Sequence, residues 1–315
     1  MKKIDYFVLD ADTIAITGHI RPDGDCLGST LGLYNYITAN YPSKRVDLFL
    51  EKPGDKLGFL KNFDKINSDF KTDIQYDVMF CLDVSAADRL GDAESIFNAA
   101  GKRVVLDNHI SNQGYGDENF VYGDSSSACE VLYGFLDESK MDRDVAMCLY
   151  TGIVSDTGVF RYSCTSPATM EIVAKLMKFD IPTEYIINES FFAVNYNENR
   201  ILGAALLKSK LRSEGRIIYS WITYDEMNKF GVTSKGLESI VSQLKLTRNV
   251  ECAAFFYQSG KNAFKVSLRS KGSLDVNEIA SHFGGGGHAK AAGCNLNGEL
   301  DTCMEAVFKL IEEKL

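Results

Sequence analysis

Nowhere does the sequence contain the roughly 18 consecutive apolar residues that a membrane-spanning helix requires. The opening stretch MKKIDYFVLDADTIAITGHI begins basic, but Asp5, Asp10 and Asp12 break up any apolar core, so no secretory signal is expected. A Cys-x-x-Cys pair is also missing. The eight cysteines, Cys26, Cys81, Cys129, Cys148, Cys164, Cys252, Cys294 and Cys303, are scattered, which argues against structural zinc and against a disulfide framework. Runs such as Met79-Phe80-Cys81-Leu82 use cysteine as a small hydrophobe. These absences point to the cytoplasm and to no membrane partner. Positive charge is scarce too: the formal net charge is −9, and no broad basic face for a long nucleic acid is visible. A small anion can still be bound where metal cations and a few arginines concentrate positive charge.

What is present is an ordinary globular balance, 45% hydrophobic and 24% charged, which excludes a disordered chain. At 315 residues two domains are expected. In the first half, strands at Thr13–Thr17, Val46–Leu50, Asp77–Leu82 and Arg103–Leu106 alternate with helical spacing at Cys26–Ala39, Asp92–Ala100, Ser127–Lys140 and Arg143–Ser155. Such alternation predicts an α/β fold, a parallel sheet with helices on both faces. Residues 1–190 form this domain, and 191–212 connect it, largely as a helix over Asn195–Lys210, to a smaller α+β domain at 213–315. There, strands are expected at Arg216–Trp221, Val250–Tyr257 and Ala263–Leu268, with helices near Leu237–Leu244, Val276–His282 and Asp301–Leu315. No internal repeat stands out, and the one low-complexity run is Gly284-Gly285-Gly286-Gly287.

Carboxylates fall at the ends of these segments. Asp23 and Asp25 follow the first strand, Asp83 ends Val78–Leu82, Asp107 ends Val104-Val105-Leu106, and Asp156 follows Gly152-Ile153-Val154-Ser155. Taken singly, an aspartate after a strand is usually a turn residue or a helix N-cap. Strand C-termini of an open parallel sheet converge on one crevice, however, and carboxylates gathered there repel unless cations lie between them. His19, Asp23, Asp25, Asp83 and Asp156, with His109 nearby, supply oxygen and imidazole donors that suit Mn²⁺ or Mg²⁺. Two such ions can hold a hydroxide and orient a phosphate for in-line attack, with Asp83 as the candidate bridging ligand.

The segments Gly18-His19-Ile20-Arg21-Pro22-Asp23-Gly24-Asp25, Leu82-Asp83-Val84-Ser85, Asp107-Asn108-His109 and Ser155-Asp156-Thr157-Gly158 resemble the DHH phosphoesterases with a DHH-associated C-terminal domain. Ser267-Leu268-Arg269-Ser270 and the run from Gly284 to Gly293 extend the resemblance into the second half. The chain looks most like the nanoRNase and pAp phosphatase branch. That resemblance implies that His19 and Asp23 bind one metal and Asp25 the other. Asp83 would bridge, Asp156 would complete the site, and His109 would touch the reacting phosphate. Two divalent ions are implied, Mn²⁺ ahead of Mg²⁺. Asn108 departs from the pattern, since the family usually has a metal-binding histidine there, and an amide oxygen is the weaker ligand for transition metals.

Four consecutive glycines would ordinarily suggest a flexible linker. Without Cβ atoms, Gly285, Gly286 and Gly287 can equally expose N–H groups to a phosphate or form a tight structural turn. The resemblance implies that Arg269 and His288 hold the substrate's terminal nucleotide beside them. Arg269 as an ordinary surface charge is the plainer reading. Beside Asp156, Phe160 is expected to pack the core. The implied activity is degradation of very short RNA oligonucleotides to mononucleotides and dephosphorylation of 3′-phosphoadenosine 5′-phosphate. A cyclic di-AMP or linear dinucleotide (pApA) phosphodiesterase would use the same residues. A nucleotide-binding regulator with weakened catalysis is a different class, motivated by Asn108. A homodimer is compatible with the chain, although no residue pattern specifies an oligomeric state.

Overall fold

The computed structural model describes residues 3–315. The chain divides into two compact units, the first ending at Ala193 and the second running from Val194 to Leu315. The helix Tyr196–Leu207 belongs to the second unit, because Ile201 and Ala205 are buried in its core with Ile218, Ile240 and Leu244. It is therefore an element of that domain, where the sequence suggested a connector over 191–212.

Among the described residues, six strands build the first unit: β1 (Thr13–Thr17), β2 (Arg45–Phe49), β3 (Ile66–Asn67), β4 (Val78–Leu82), β5 (Lys102–Asp107) and β6 (Glu118–Val121). Their order is β3-β2-β1-β4-β5-β6, and every pairing is parallel. The run Val78-Met79-Phe80-Cys81-Leu82 is apolar throughout because both of its faces are covered. Val78, Phe80 and Leu82 face one core with the helices Gly24–Asn40 and Arg143–Asp156. Met79 and Cys81 face the other, with Leu90 and Phe97.

The chain leaves β1 toward β2 and later returns to β1's opposite side as β4. This reversal makes a topological switch point, where open α/β sheets leave a crevice beyond their strand ends. Pairing of Thr17 with Cys81 and of Leu82 with Leu106 sets the next residues, His19, Asp83 and Asp107, along that edge. Behind it, the two long helices pack closely. A Cβ on Gly28 would sit 2.5 Å from the Cys148 carbonyl oxygen, and one on Gly152 would sit 2.7 Å from Asp25 Oδ1. No larger residue fits either place without driving the helices apart.

In the second unit the strands are β7 (Lys210–Arg212), β8 (Ile217–Ile222), β9 (Cys252–Gly260), β10 (Ala263–Ser270), β11 (Gly286–His288) and β12 (Ala291–Asn297), in the order β11-β12-β10-β9-β8-β7. Only β8 and β9 run parallel. Among the described residues no helix is long and apolar enough to cross a membrane.

Candidate metal centre

His19 follows β1 and is buried. Its Nδ1 lies 2.8 Å from the Ile20 carbonyl oxygen, an acceptor only, so Nδ1 carries the proton and Nε2 is left to face the carboxylates. Nε2 is 3.4 Å from Asp83 Oδ2 and 3.7 Å from Asp23 Oδ2. Both are long for hydrogen bonds. They are close to the roughly 3 to 3.4 Å between two donors sharing one ion at about 2.1 Å each. Burial alone would lower the His19 pKa; the Asp23 and Asp83 carboxylates outweigh it and raise it to about 10.

Asp23 is the N-cap of the helix Gly24–Asn40, accepting from the N–H groups of Asp25 and Cys26 at 3.1 Å each. Capping uses Oδ1 and leaves Oδ2 toward His19. A cap and a ligand are therefore compatible in one residue.

Asp83 takes φ +59°, uncommon for a residue with a Cβ but tolerated by aspartate and asparagine. Its N–H donates to the Leu106 carbonyl oxygen at 3.1 Å, tying this turn to β5. The turn sends Oδ2 toward His19 and Oδ1 toward His109, 3.7 Å from its Nδ1. Burial drives the Asp83 pKa upward.

Asp25 is fully buried, and its two oxygens accept from the amides of Ala128 (2.6 Å) and Cys129 (3.0 Å) at the start of the helix Ala128–Tyr133. Each oxygen keeps a lone pair for a cation. Burial, reinforced by the charge of Asp83, holds its pKa well above the usual carboxylate range despite those amides. Asp156 comes from the C-terminus of the helix Arg143–Asp156, so it reaches the centre from a helix and not from a strand end. Its pKa is pushed up to about 8, chiefly by burial and then by the charges of Asp25 and Asp23.

Asn108 makes a side-chain hydrogen bond to Asp156, yet its Oδ1 is buried with no hydrogen-bond partner. An orphaned buried acceptor costs about 1–3 kcal/mol, and an amide oxygen in a residue next to Asp156 is a reasonable donor to a cation. With the raised carboxylate pKa values and the His19 spacing, this is the observation that fits the residues to divalent metal. Cys26 lies close to His19 and Asp83, and burial pushes its thiol pKa well above the usual range.

Sequence reasoning passed over Asp107 as a functional residue. It is fully buried, holds His109 Nδ1 at 2.8 Å through Oδ1, and accepts from Asn112 Nδ2 at 2.7 Å through Oδ2. The Asp-x-His spacing after a strand was the available signal. His109 itself is 45% exposed, and its pKa is raised mainly by Asp107. Phe160 packs against the core near Tyr150.

In the second unit the glycine run is neither linker nor open loop. Gly286–His288 pairs antiparallel with β12, setting Gly286 opposite Gly293 and Gly287 opposite Ala292. Arg269, Gly285 and Gly286 line one depression of about 390 Å³ with Lys265, Ser267 and Asn295. Gly287 and His288 do not line it; His288 is exposed, opposite Ala291.

A doubly wound domain with a carboxylate–imidazole centre at its switch point, followed by a separate α+β domain, defines the class. Residues 13–153 match the model of the DHH family N-terminal domain, and residues 214–315 match that of the DHHA1 domain. The chain belongs to the DHH family. It is 30% identical over 90% of its length to a protein of Streptococcus mutans named probable bifunctional oligoribonuclease and PAP phosphatase NrnA, covering 89% of that protein. The corresponding bifunctional oligoribonuclease and PAP phosphatase NrnA of Bacillus subtilis is 27% identical, with 90% of both chains covered. Among solved structures, an exopolyphosphatase-related protein from Bacteroides fragilis superposes with a TM-score of 0.87 at 25% identity, over 99% of this chain and 95% of that one.

Proposed function

We propose that the protein is a two-metal phosphoesterase that degrades very short RNA oligonucleotides to mononucleotides and dephosphorylates 3′-phosphoadenosine 5′-phosphate. The observation that carries this reading is the position of Asp83, with one oxygen turned toward His19 and the other toward His109. His19, Asp23 and Asp83 would hold one ion; Asp25, Asp83, Asp156 and Asn108 would hold the second. Two divalent cations, Mn²⁺ ahead of Mg²⁺, would supply a hydroxide nucleophile at neutral pH and offset charge on the phosphate.

The chain's own groups then have separable roles. Asp107 holds His109 by Nδ1, leaving Nε2 to hydrogen-bond a phosphate oxygen as charge builds there. The Ala128 and Cys129 amides keep Asp25 in one orientation. In the second unit, Arg269 would grip the terminal nucleotide with Gly286 beside it, the planar guanidinium matching a phosphate. The S. mutans and B. subtilis relatives carry names for this pair of activities, which supports the same substrates here. Eight unpaired cysteines, seven of them buried, fit a cytoplasmic enzyme.

Hydrolysis assays with Mn²⁺ on 3′-phosphoadenosine 5′-phosphate, RNA of two to five nucleotides, cyclic di-AMP, pApA and polyphosphate test the proposal. Turnover of the first two above the rest is expected. Preference for cyclic di-AMP or pApA would reassign the substrate, and tight nucleotide binding with no turnover would replace the enzyme by a regulator.

A further inference from the structure

One face of the second unit's sheet is covered across its width, and the other only in part. Toward the helices Val276–His282 and Leu300–Glu312, residues of β8, β9, β10 and β12 all enter one core. On the opposite face, the helices Tyr196–Leu207, Tyr224–Phe230 and Glu238–Lys245 pack on β8 and β9. No residue of β10 or β12 enters that second core. Lys265, Ser267 and Arg269 alternate with the buried Val266 and Leu268, so they lie on this partly covered side.

That side continues into a groove. The 390 Å³ depression at Arg269 includes Lys265 and Ser267. Those two also line a recess of about 220 Å³ with Ser234, Lys235, Glu238 and Tyr257. Ser234 and Tyr257 in turn line a third recess of about 360 Å³ with Tyr224, Met227 and Asn228. Shared lining residues set the three side by side in one row.

Its chemistry changes along the way. The Arg269 end carries Arg269 and Lys265 with no carboxylate, and the middle shares Lys265 and adds Lys235 against Glu238. In a chain of net charge −9 such a stretch is unusual. Past it the lining is aromatic, thioether and amide, and the Tyr224 ring is 40% exposed. A volume of a few hundred Å³ with mixed apolar and amide lining suits a flat heterocycle. Arg269 and Lys265 lie four residues apart on their strand, about 14 Å, which is about two phosphate spacings of an extended single strand. Cationic strip followed by aromatic recess is how sequence-tolerant single-strand binding is built.

We propose that this groove is a second nucleotide subsite, holding a later phosphate at Lys265 and Lys235 and a following base at Tyr224 and Asn228. It deepens the proposed function and rests on it. Short RNA would then gain affinity from each nucleotide up to the length of the groove, whereas 3′-phosphoadenosine 5′-phosphate would use only the Arg269 end.

The test uses the full chain and fluorescent phosphorothioate RNA of two, three and five nucleotides, read by anisotropy, with 3′-phosphoadenosine 5′-phosphate as competitor. Expected is about a tenfold gain in affinity from two to five nucleotides in the parent protein, lost to within about twofold in Lys235→Ala and Tyr224→Ala. Competition by 3′-phosphoadenosine 5′-phosphate should change less than about twofold in both variants. Length-independent binding in the parent, or equal weakening of RNA and competitor, overturns the subsite. Turnover of 3′-phosphoadenosine 5′-phosphate beside length-independent binding rejects the groove and leaves the proposed function. Length-dependent binding that the variants abolish, beside no turnover of any nucleotide, does the reverse.

Discussion

Nδ1 of His109 lies 2.8 Å from Oδ1 of Asp107, whose other oxygen is occupied by the Asn112 amide. The carboxylate is thus pinned from both sides, and it fixes the imidazole's orientation and tautomer together. Asp107→Asn preserves shape but removes the charge that raises the His109 pKa. The expected result is a kcat about 100-fold lower with KM little changed, and a pH–rate limb assigned to His109 displaced to lower pH. An unchanged kcat and pH profile would count against any positioning role for Asp107.

Asp83 calls for an asparagine and not an alanine substitution. At φ +59° alanine adds backbone strain, so a loss of activity would mix folding with ligand loss. Asparagine tolerates that conformation and relieves the repulsion among buried carboxylates. We expect Asp83→Asn to match or exceed the metal-free parent in Tm and to lose about 1000-fold or more in kcat. Saturating Mn²⁺ should raise the parent's Tm by about 5 °C or more, and the variant's much less. Near-normal turnover in Asp83→Asn would falsify the bridging assignment.

Metal binding should release protons. Without metal, Asp156 holds its proton up to about pH 8, and burial likewise raises Asp25 and Asp83. Ligation needs the deprotonated forms. Affinity for Mn²⁺ should therefore rise as pH climbs from about 6 through about 8, and keep rising toward about 10 as His19 loses its proton. Calorimetry in buffers of different ionisation enthalpy reads the released protons directly. Binding with no proton release would show that these carboxylates are not the ligands.

The strands that carry the centre were legible because β1, β4 and β5 are apolar runs stopped by a polar residue. Edge strands were not. Ile66–Asn67 and Glu118–Val121 are short and only partly buried, so no period of two marks them. The helix expected over Ser127–Lys140 ends at Tyr133, where Gly134 follows, and only a short turn at Glu138–Lys140 remains helical. β12, Ala-Ala-Gly-Cys-Asn-Leu-Asn, has little intrinsic strand preference and is held by pairing with β10. At the centre, residue types named the candidates. Which aspartate touches what depended on features outside those motifs, such as the Ala128 and Cys129 amides and the glycines between the long helices.

Asn108 tests metal choice. A neutral amide oxygen is a hard donor, and its buried Oδ1 lacks any other partner. Asn108→His introduces imidazole, which favours Mn²⁺ and later transition metals over Mg²⁺. In thermal shift titrations, the parent's ratio of Mg²⁺ to Mn²⁺ half-saturation concentrations should widen about tenfold in the variant. An unchanged ratio would mean that Asn108 does not reach the ion.

The glycine run offers a contrast within three residues. A Cβ at Gly285 would lie 2.2 Å from the Gly293 carbonyl oxygen, and at Gly287 2.4 Å from that of Ala291, where φ is also +154°. At Gly286 the nearest atom is 3.8 Å away. If these glycines serve only the close pairing of β11 with β12, Gly285→Ala and Gly287→Ala should lower Tm and Gly286→Ala should be silent in every assay. If Gly286 also turns its backbone to a bound phosphate in the Arg269 depression, Gly286→Ala should keep the parent's Tm yet raise KM for 3′-phosphoadenosine 5′-phosphate several-fold. Arg269→Ala should raise the same KM by more than it slows hydrolysis of a generic phosphodiester, because it removes binding remote from the reacting phosphorus. Equal losses on both substrates would reject a nucleotide grip at Arg269, and a silent Gly286→Ala would leave pairing as the whole reason for the run.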